Sequence, residues 1–120
     1  MPTRFVVLLH EDSRGMHWDL MLENGPVLKT WALECQPDSA GTIRATLLAD
    51  HRLAYLEYEG EISDARGTVT RWDQGVVHIE QQTATQWIFA VEGKKLQGRA
   101  TLTCQPNQAQ KWEFYFTSNL

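Results

Sequence analysis

The sequence predicts an all-β fold, either an antiparallel barrel or a sandwich of about eight to ten short strands. Apolar and polar residues alternate with a period of two along much of the chain, as expected for strands with one buried face. Gly, Asp, Asn or Pro separates most of these segments. No segment keeps an apolar period of 3.6 residues, so any helix should be short. The length of 120 residues predicts a single domain over residues 1–120.

The clearest predicted strand is "MHWDLMLE", residues 16–23. Alternation places His17, Asp19 and Met21 on one face of this strand, opposite a face of mostly apolar side chains. An Asn-Gly-Pro turn signal separates it from "VLKTWAL", residues 27–33. These two segments are therefore expected to form a hairpin.

The rest of the chain continues the same pattern. "QPDSAG", residues 36–41, has the composition of a loop, and "EGKK", residues 92–95, that of a turn. Gly98, inside a strand-like segment, predicts a bulge or a close approach of another backbone. The remaining predicted strands are IRATLLA, AYLEYEGEI, GTVTRWD, VVHIEQ, QWIFAVEG, LQGRATLTC and KWEFYFT.

Charge and cysteine content limit the classes of function. The formal net charge is −4, so the chain lacks the overall basic character of most nucleic-acid-binding proteins, and any basic groove must be local. No apolar run is long enough to cross a bilayer, and the N-terminus lacks a signal-peptide pattern. We therefore expect a cytoplasmic protein without a membrane partner. Cys35 and Cys104 are expected to be buried free thiols.

Two histidines and an aspartate suggest a metal site. His17 and Asp19 are two residues apart in a strand, so their side chains project from one face. His10 closes the preceding strand, and pairing of the two strands would bring it to the same place. Such a set suits Mn²⁺, Fe²⁺ or Zn²⁺. The alternative is that these are ordinary polar residues on a solvated face. His51, followed by Tyr55, is a further candidate.

Several motifs, in order from Phe5 to Phe116, resemble the 3′-phosphoesterase domain of bacterial DNA ligase D. That family has an apolar strand ending in Lys-His, then Leu-His-Tyr-Asp, Leu-Lys-Ser-Trp-Ala, Asp-His-Pro-Leu-x-Tyr and Gly-Thr-Val-x-x-Trp-Asp-x-Gly. The corresponding segments here are FVVLLHEDSRGMHWDLMLENGPVLKTWAL, DHRLAYLEYEGEI, GTVTRWDQG, VEGKKLQGRATL and KWEFYF. Each motif alone is weak, but their common order is specific.

The resemblance implies a small antiparallel β-barrel of about eight strands with short or no helices. It implies a Mn²⁺-dependent hydrolase, with another divalent ion as the alternative. Such an enzyme removes a 3′-phosphate or a 3′-ribonucleotide from DNA or RNA 3′ ends and leaves a 3′-OH, in DNA repair by non-homologous end joining. A separate DNA ligase or another end-joining protein is an expected partner.

The resemblance also assigns residues by position. His10, His17 and Asp19 match the family's metal ligands. His51 matches a phosphate-contacting histidine, and Tyr55 matches the tyrosine beside it.

Two further basic residues have weaker matches. Arg44 lies one residue from the position of a further family arginine and completes the expected catalytic set with His51 and Tyr55. Lys29 matches a lysine of a strand motif, where a structural role is expected.

Some family positions differ in this chain. The spacing from His10 to His17 is one residue longer, with Glu11 as the extra residue, and a Gly-rich family segment is shortened to "SDAR". Met21 stands where the family has a phosphate-binding arginine, and Cys35 falls at a family lysine. Each lost cation removes charged hydrogen bonds worth about 1.5–3 kcal/mol.

These losses keep other functions open. One is a catalytically weak or inactive barrel that binds nucleic-acid ends or a repair protein. Another, outside the family, is a barrel for a small apolar ligand or a cupin-like metal enzyme.

Overall fold

The computed structural model describes residues 2–119, and eight of its strands close into an antiparallel barrel. Two short strands and a single-turn 3-10 helix, Leu53–Leu56, complete the secondary structure of these residues. In chain order the strands are β1 (Pro2–Asp12), β2 (Gly15–Asn24), β3 (Val27–Leu33), β4 (Ile43–Leu47), β5 (His51–Arg52), β6 (Gly60–Glu61), β7 (Thr68–Gln82), β8 (Gln86–Gly93), β9 (Gln97–Gln105) and β10 (Gln108–Ser118).

The barrel order is β1-β2-β3-β4-β10-β9-β8-β7, and β7 pairs again with β1 to close the ring. Short β5 pairs with β3 and short β6 with β7, both outside this ring. The all-β barrel predicted from the sequence is therefore confirmed, and the sandwich alternative is excluded. No helix within residues 2–119 combines the length and the apolar character needed to cross a membrane.

The barrel interior is filled by the apolar face that the alternation predicts. Trp31 is fully buried at its centre and packs edge-to-face on Trp87 and Trp112, with ring centroids 5.3 and 5.6 Å away. Such aromatic pairs stabilise a core beyond their buried area. The other buried residues of this cluster are Phe5, Val7, Leu20, Leu22, Leu33, Ile43, Ala45, Val77, Phe89, Val91, Leu96, Ala100, Leu102 and Phe114.

Strand β7 closes the barrel and differs from its sequence prediction. "GTVTRWD" and "VVHIEQ" were expected as two strands, but they belong to the single strand Thr68–Gln82. It pairs with nearly the whole of β1, from Pro2 to Glu11, with a register shift near Trp72. The shift bends the strand locally, which lets one long segment follow the curved wall.

A second apolar cluster lies on the outer face of β1, β2 and β3. It consists of Val6, Leu8, Met21, Leu28, Leu56 and Val69. The segment "AYLEYEGEI" covers this face, and the prediction that it is one strand is wrong: only Gly60–Glu61 is strand (β6), and the segment begins in the 3-10 helix. Helix residue Leu56 is buried in the cluster, so packing overrides the alternating pattern.

Asp73 is a buried carboxylate on β7 that lies against the β8–β9 turn. Its Oδ1 accepts the backbone N–H groups of Gln74 (2.8 Å), Lys94 (2.8 Å) and Lys95 (3.1 Å), and its Oδ2 accepts that of Leu96 (2.9 Å). The turn predicted at residues 92–95 is thus confirmed, and Asp73 is the residue that holds it. The Lys95 ammonium lies 4.5 Å from the centre of a Trp ring, at cation–π distance.

Gly98 is expected to be intolerant of substitution. A Cβ there would lie 2.0 Å from the carbonyl oxygen of Thr117 on the neighbouring strand, which confirms the predicted close approach. Gly98→Ala should therefore destabilise the fold by about 1–3 kcal/mol, measured by urea unfolding. Gln97→Ala, an exposed neighbour, should stay within about 0.5 kcal/mol. Equal unfolding midpoints for the two variants would show that the strands carrying Gly98 and Thr117 accept a methyl group between them without loss of stability.

The cysteine prediction is partly wrong. Both thiols are free, as expected, but Cys35 is exposed and Cys104 is half-buried. Cys35 lies two residues beyond the end of β3, in the loop to β4.

Candidate metal centre

The β1–β2 hairpin brings His10 and His17 together. The two residues pair directly across the strands, and the turn between them is short, with Asp12 opposite Gly15. Asp12 accepts the backbone N–H of Arg14 at 2.8 Å, which stabilises that turn. The longer spacing noted in the sequence therefore still delivers both histidines to one place.

Asp19 completes the cluster from the same strand face as His17. His10 Nδ1 lies 3.1 Å from His17 Nε2 and 3.4 Å from Asp19 Oδ2, and His17 Nε2 lies 3.0 Å from Asp19 Oδ1. Each residue offers one ligand atom, and these atoms all lie within 4.8 Å of one another. The Asp19 side chain is only 4% exposed, so the barrel wall fixes the carboxylate.

The hydrogen bonding of His10 determines which nitrogen faces the cluster. His10 Nε2 lies 2.7 Å from the backbone carbonyl of Arg66, which accepts only, so Nε2 carries the proton. In the neutral ring Nδ1 then has a lone pair directed at His17 and Asp19. A backbone carbonyl that orients a histidine in this way is a common partner of metal-binding histidines.

The cluster attracts a cation. Side-chain hydrogen bonding to Asp19 is the main cause that raises the pKa of His17 above its ordinary value, against the opposing effect of burial. Asp19 Oδ1 nevertheless has no well-aligned hydrogen-bond donor among the described residues. Lone pairs of two nitrogens and a carboxylate at about 3 Å repel one another unless a proton or a metal ion lies between them.

The donor set fits a divalent transition metal. Ligand atoms about 2.0–2.2 Å from one ion are separated by about 3.0–3.5 Å in common geometries, close to the separations found here. Two imidazoles and one carboxylate leave positions for water or substrate and suit Mn²⁺, Fe²⁺ or Zn²⁺ better than Mg²⁺. His10, His17 and Asp19 are thus brought together as predicted.

A pocket of about 340 Å³ opens beside the cluster and contains the other expected histidine and tyrosine. His51 comes from β5 and Tyr55 from the 3-10 helix, and their rings meet edge-to-face with centroids 5.6 Å apart. The lining residues are His10, Asp19, Met21, Asp50, His51, Arg52, Tyr55, Ile62, Arg66 and Val69. The segment that covers the outer apolar cluster therefore also builds the pocket.

Two further predicted residues lie elsewhere. Arg44 is exposed on β4 and does not belong to the described lining of the pocket. Its carbonyl accepts the N–H of Glu34, and the strand register places it on the outer face, two strands from His17. Lys29 faces one open end of the barrel, in a separate cavity with Trp87.

Three lining residues were not weighed in the sequence prediction: Asp50, Arg52 and Arg66. The first two flank His51 directly, so the motif "DHRLAY" already contained them. Arg66 lies in the shortened "SDAR" segment, and a turn with left-handed residues at Asp64 and Ala65 (φ 63° and 55°) brings it to the pocket. The position of Arg66 in the pocket depends on the backbone path of that turn, which the alternation of apolar and polar residues does not predict.

The fold and the site define a class of small β-barrel domains that hold a His-His-Asp cluster in a pocket. The sequence profile described as the DNA ligase D 3′-phosphoesterase domain matches residues 9–104. The chain belongs to this family, and the resemblance drawn from the motifs is confirmed.

A curated relative matches as well. It is the multifunctional non-homologous end joining protein LigD of Pseudomonas aeruginosa, 35% identical over 106 residues. The alignment covers 80% of this chain but 12% of the relative, so the chain corresponds to a small part of that protein's length.

Proposed function

We propose that this protein is a divalent-metal-dependent 3′-phosphoesterase that processes DNA or RNA 3′ ends and leaves a 3′-OH for sealing. The observation that carries the proposal is the convergence of His10, His17 and Asp19 at one edge of a pocket that also contains His51 and Tyr55. Membership in the 3′-phosphoesterase domain family supports this reaction class.

His10 Nδ1, His17 Nε2 and an oxygen of Asp19 would hold the ion, with Mn²⁺ as the proposed metal. Such an ion offsets negative charge on a phosphate oxygen and lowers the pKa of bound water. The Arg66 carbonyl keeps His10 in the tautomer that this binding requires.

His51 is the proposed acid or phosphate-binding group. Its Nδ1 lies 2.9 Å from the carbonyl of Ala49, so Nδ1 donates there and Nε2 remains available to the pocket. A protonated His51 can hydrogen-bond a phosphate oxygen or give a proton to the leaving oxygen. Tyr55 packs edge-to-face on this ring, restricts its rotation and presents a hydroxyl donor beside it.

A noncatalytic end-binding module is the second candidate, and Met21 favours it. This thioether lines the pocket and is 1% exposed, in a position where an arginine would have bound phosphate. In that case the metal cluster survives and hydrolysis is weak or lost.

Purified protein with a 5′-labelled primer–template distinguishes these functions. With Mn²⁺, a primer ending in a 3′-phosphate or in one 3′-ribonucleotide should be converted to a 3′-OH end, which a polymerase then extends. EDTA should stop the conversion. Binding of the end without conversion would support the module, and neither binding nor conversion would exclude both functions.

The relative's name suggests the proposed context. It is a multifunctional end-joining protein, and this chain would supply the end-trimming step alongside a separate DNA ligase or another end-joining protein. Trimmed 3′-OH ends made by the chain should then support sealing by an added ligase.

Mn²⁺ is expected to stabilise the folded protein. At 100 times its dissociation constant a ligand adds about 2.7 kcal/mol, which corresponds to at least about 8 °C in melting temperature for a domain of this size. Differential scanning fluorimetry with Mn²⁺, then with excess EDTA, measures the rise and its reversal. Mg²⁺ is the control and should give a smaller rise because imidazole is a poor Mg²⁺ ligand. Equal shifts with both ions would contradict a nitrogen-containing site.

A further inference from the structure

Among the described residues, the eight strands of the barrel ring contribute no Arg or Lys to the pocket beside the metal cluster. Met21, on β2, occupies the pocket wall with an apolar side chain. Cys35 is exposed in the loop after β3 and is not part of the described lining. Any arginine that binds a phosphate here, in addition to His51, must therefore come from a segment outside the barrel ring.

Arg52 is the first such group. It follows His51 on β5, is exposed and lines the pocket. Its guanidinium makes no hydrogen bond or ion pair with any residue between 2 and 119. All its donors are consequently available to a ligand, in the planar arrangement that matches a phosphate group.

Arg66 is the second, and its position is better fixed. Its Nε donates to the Ser63 carbonyl at 2.9 Å and its Nη2 to the Ser63 hydroxyl at 3.0 Å, which leaves other N–H donors free. Its carbonyl accepts from His10, so the same residue contacts the metal cluster through its backbone. A Cβ on neighbouring Gly67 would lie 2.0 Å from the Glu11 carbonyl, so the loop packs tightly on β1.

The charges of the lining match a phosphate dianion. The formal charges of Asp19 and Asp50 balance those of Arg52 and Arg66. A divalent cation in the cluster would bring the lining to about +2. A terminal phosphate carries about −1.5 to −2 near pH 7, whereas a phosphodiester carries only about −1.

We propose that Arg52 and Arg66, which both lie outside the barrel ring, form a phosphate clamp that makes this pocket selective for a terminal 3′-phosphate over a 3′-phosphodiester. The clamp rests on the proposed function for its substrate class. Arginine holds phosphate with paired hydrogen bonds, so Arg52 on β5 and Arg66 in the turn before β7 would replace cations that the barrel strands do not provide. Arg66 would link the clamp to the cluster, because its backbone carbonyl orients His10 and its guanidinium keeps donors that Ser63 does not use.

Arg52→Ala, Arg66→Ala and the double variant test the clamp. Arg99→Ala is the matched control, because Arg99 lies on β9 and pairs with Glu80 outside the pocket. Two readouts are needed: anisotropy with a labelled oligonucleotide bearing a 3′-phosphate or a 3′-OH, and steady-state kinetics on 3′-phosphate and 3′-ribonucleotide ends. Calorimetry with Mn²⁺ alone shows whether each variant keeps the metal cluster.

Each single variant should weaken 3′-phosphate binding and raise KM by about 10-fold, and the double variant by about 100-fold. Mn²⁺ affinity should change less than about twofold, because the Arg66 carbonyl remains. The preference for a 3′-phosphate over a diester should collapse in the double variant. Arg66→Gln, which keeps hydrogen-bonding capacity towards Ser63, serves as a second variant should the alanine disturb the loop.

The outcomes separate the clamp from the proposed function. An active wild type whose KM and end preference are unchanged in the double variant would overturn the clamp and leave the esterase standing. A wild type that binds 3′-phosphate through both arginines but never hydrolyses it would keep the clamp and overturn catalysis. A wild type that neither distinguishes 3′-phosphate from 3′-OH in binding nor converts a 3′-phosphate or 3′-ribonucleotide end would overturn both.

Discussion

Replacing Asp19 with alanine is expected to abolish measurable Mn²⁺ binding and to lower 3′-phosphate removal by at least about 1,000-fold. Loss of a group that merely orients a ligand typically costs 10- to 100-fold, and Asp19 is itself a proposed ligand. It is also the only carboxylate of the cluster and contacts both histidines. Its loss leaves two imidazoles, which hold a divalent ion weakly.

The test of Asp19 combines calorimetry with Mn²⁺ and the end-processing assay. His17→Ala should give a similar loss. His78→Ala is the matched control, because His78 is exposed and its Nε2 lies 3.3 Å from Glu92, away from the cluster. If Asp19→Ala keeps both Mn²⁺ affinity and activity, the three residues are a structural ion pair and the metal proposal fails.

Replacing Asp73 with alanine should produce the largest loss of stability, about 3–5 kcal/mol. Four backbone N–H groups lose their acceptor, and each buried donor left unsatisfied costs about 1–3 kcal/mol. Three of these N–H groups are only partly buried, so the loss of unfolding free energy stays below the sum of four full penalties. The melting temperature should fall by at least about 9 °C, measured by circular dichroism or calorimetry.

Two comparisons isolate the role of the Asp73 carboxylate. Asp73→Asn keeps one acceptor oxygen, so a smaller loss is expected than for alanine. Asp38→Ala removes an exposed aspartate and should change stability by less than about 0.5 kcal/mol. A melting temperature for Asp73→Ala equal to that of Asp38→Ala would mean that the turn does not depend on its carboxylate.

The first three strands and the metal cluster were predictable from the sequence because both depend on local pattern. Period-two alternation identifies the face that carries His17 and Asp19, and a short hairpin turn places His10 opposite His17. The motif order favoured the barrel over the sandwich and selected His51 and Tyr55 as candidates, which the structure places in one pocket.

The missed features depend on contacts between distant parts of the chain. The 3-10 helix forms because Leu56 is buried against the outer face of β1, a contact that no local period encodes. In the sequence, Asp73 looks like any exposed aspartate of a strand. Its role follows only from the contacts that its carboxylate makes with the β8–β9 turn. Arg66 reaches the pocket only through left-handed turn residues, and Cys35 is exposed because the loop after β3 turns away from the barrel.

The closure of β7 against β1 also separates the assembly of the site in time. His10 and His17 are 7 residues apart, and a hairpin of this kind forms within microseconds. The contact from His10 to the Arg66 carbonyl spans 56 residues and must wait for a long loop to close. An early hairpin would therefore hold the proposed ion only weakly and reversibly. Tight binding would be acquired later in folding, when the contact to the Arg66 carbonyl forms and the orientation of His10 becomes fixed.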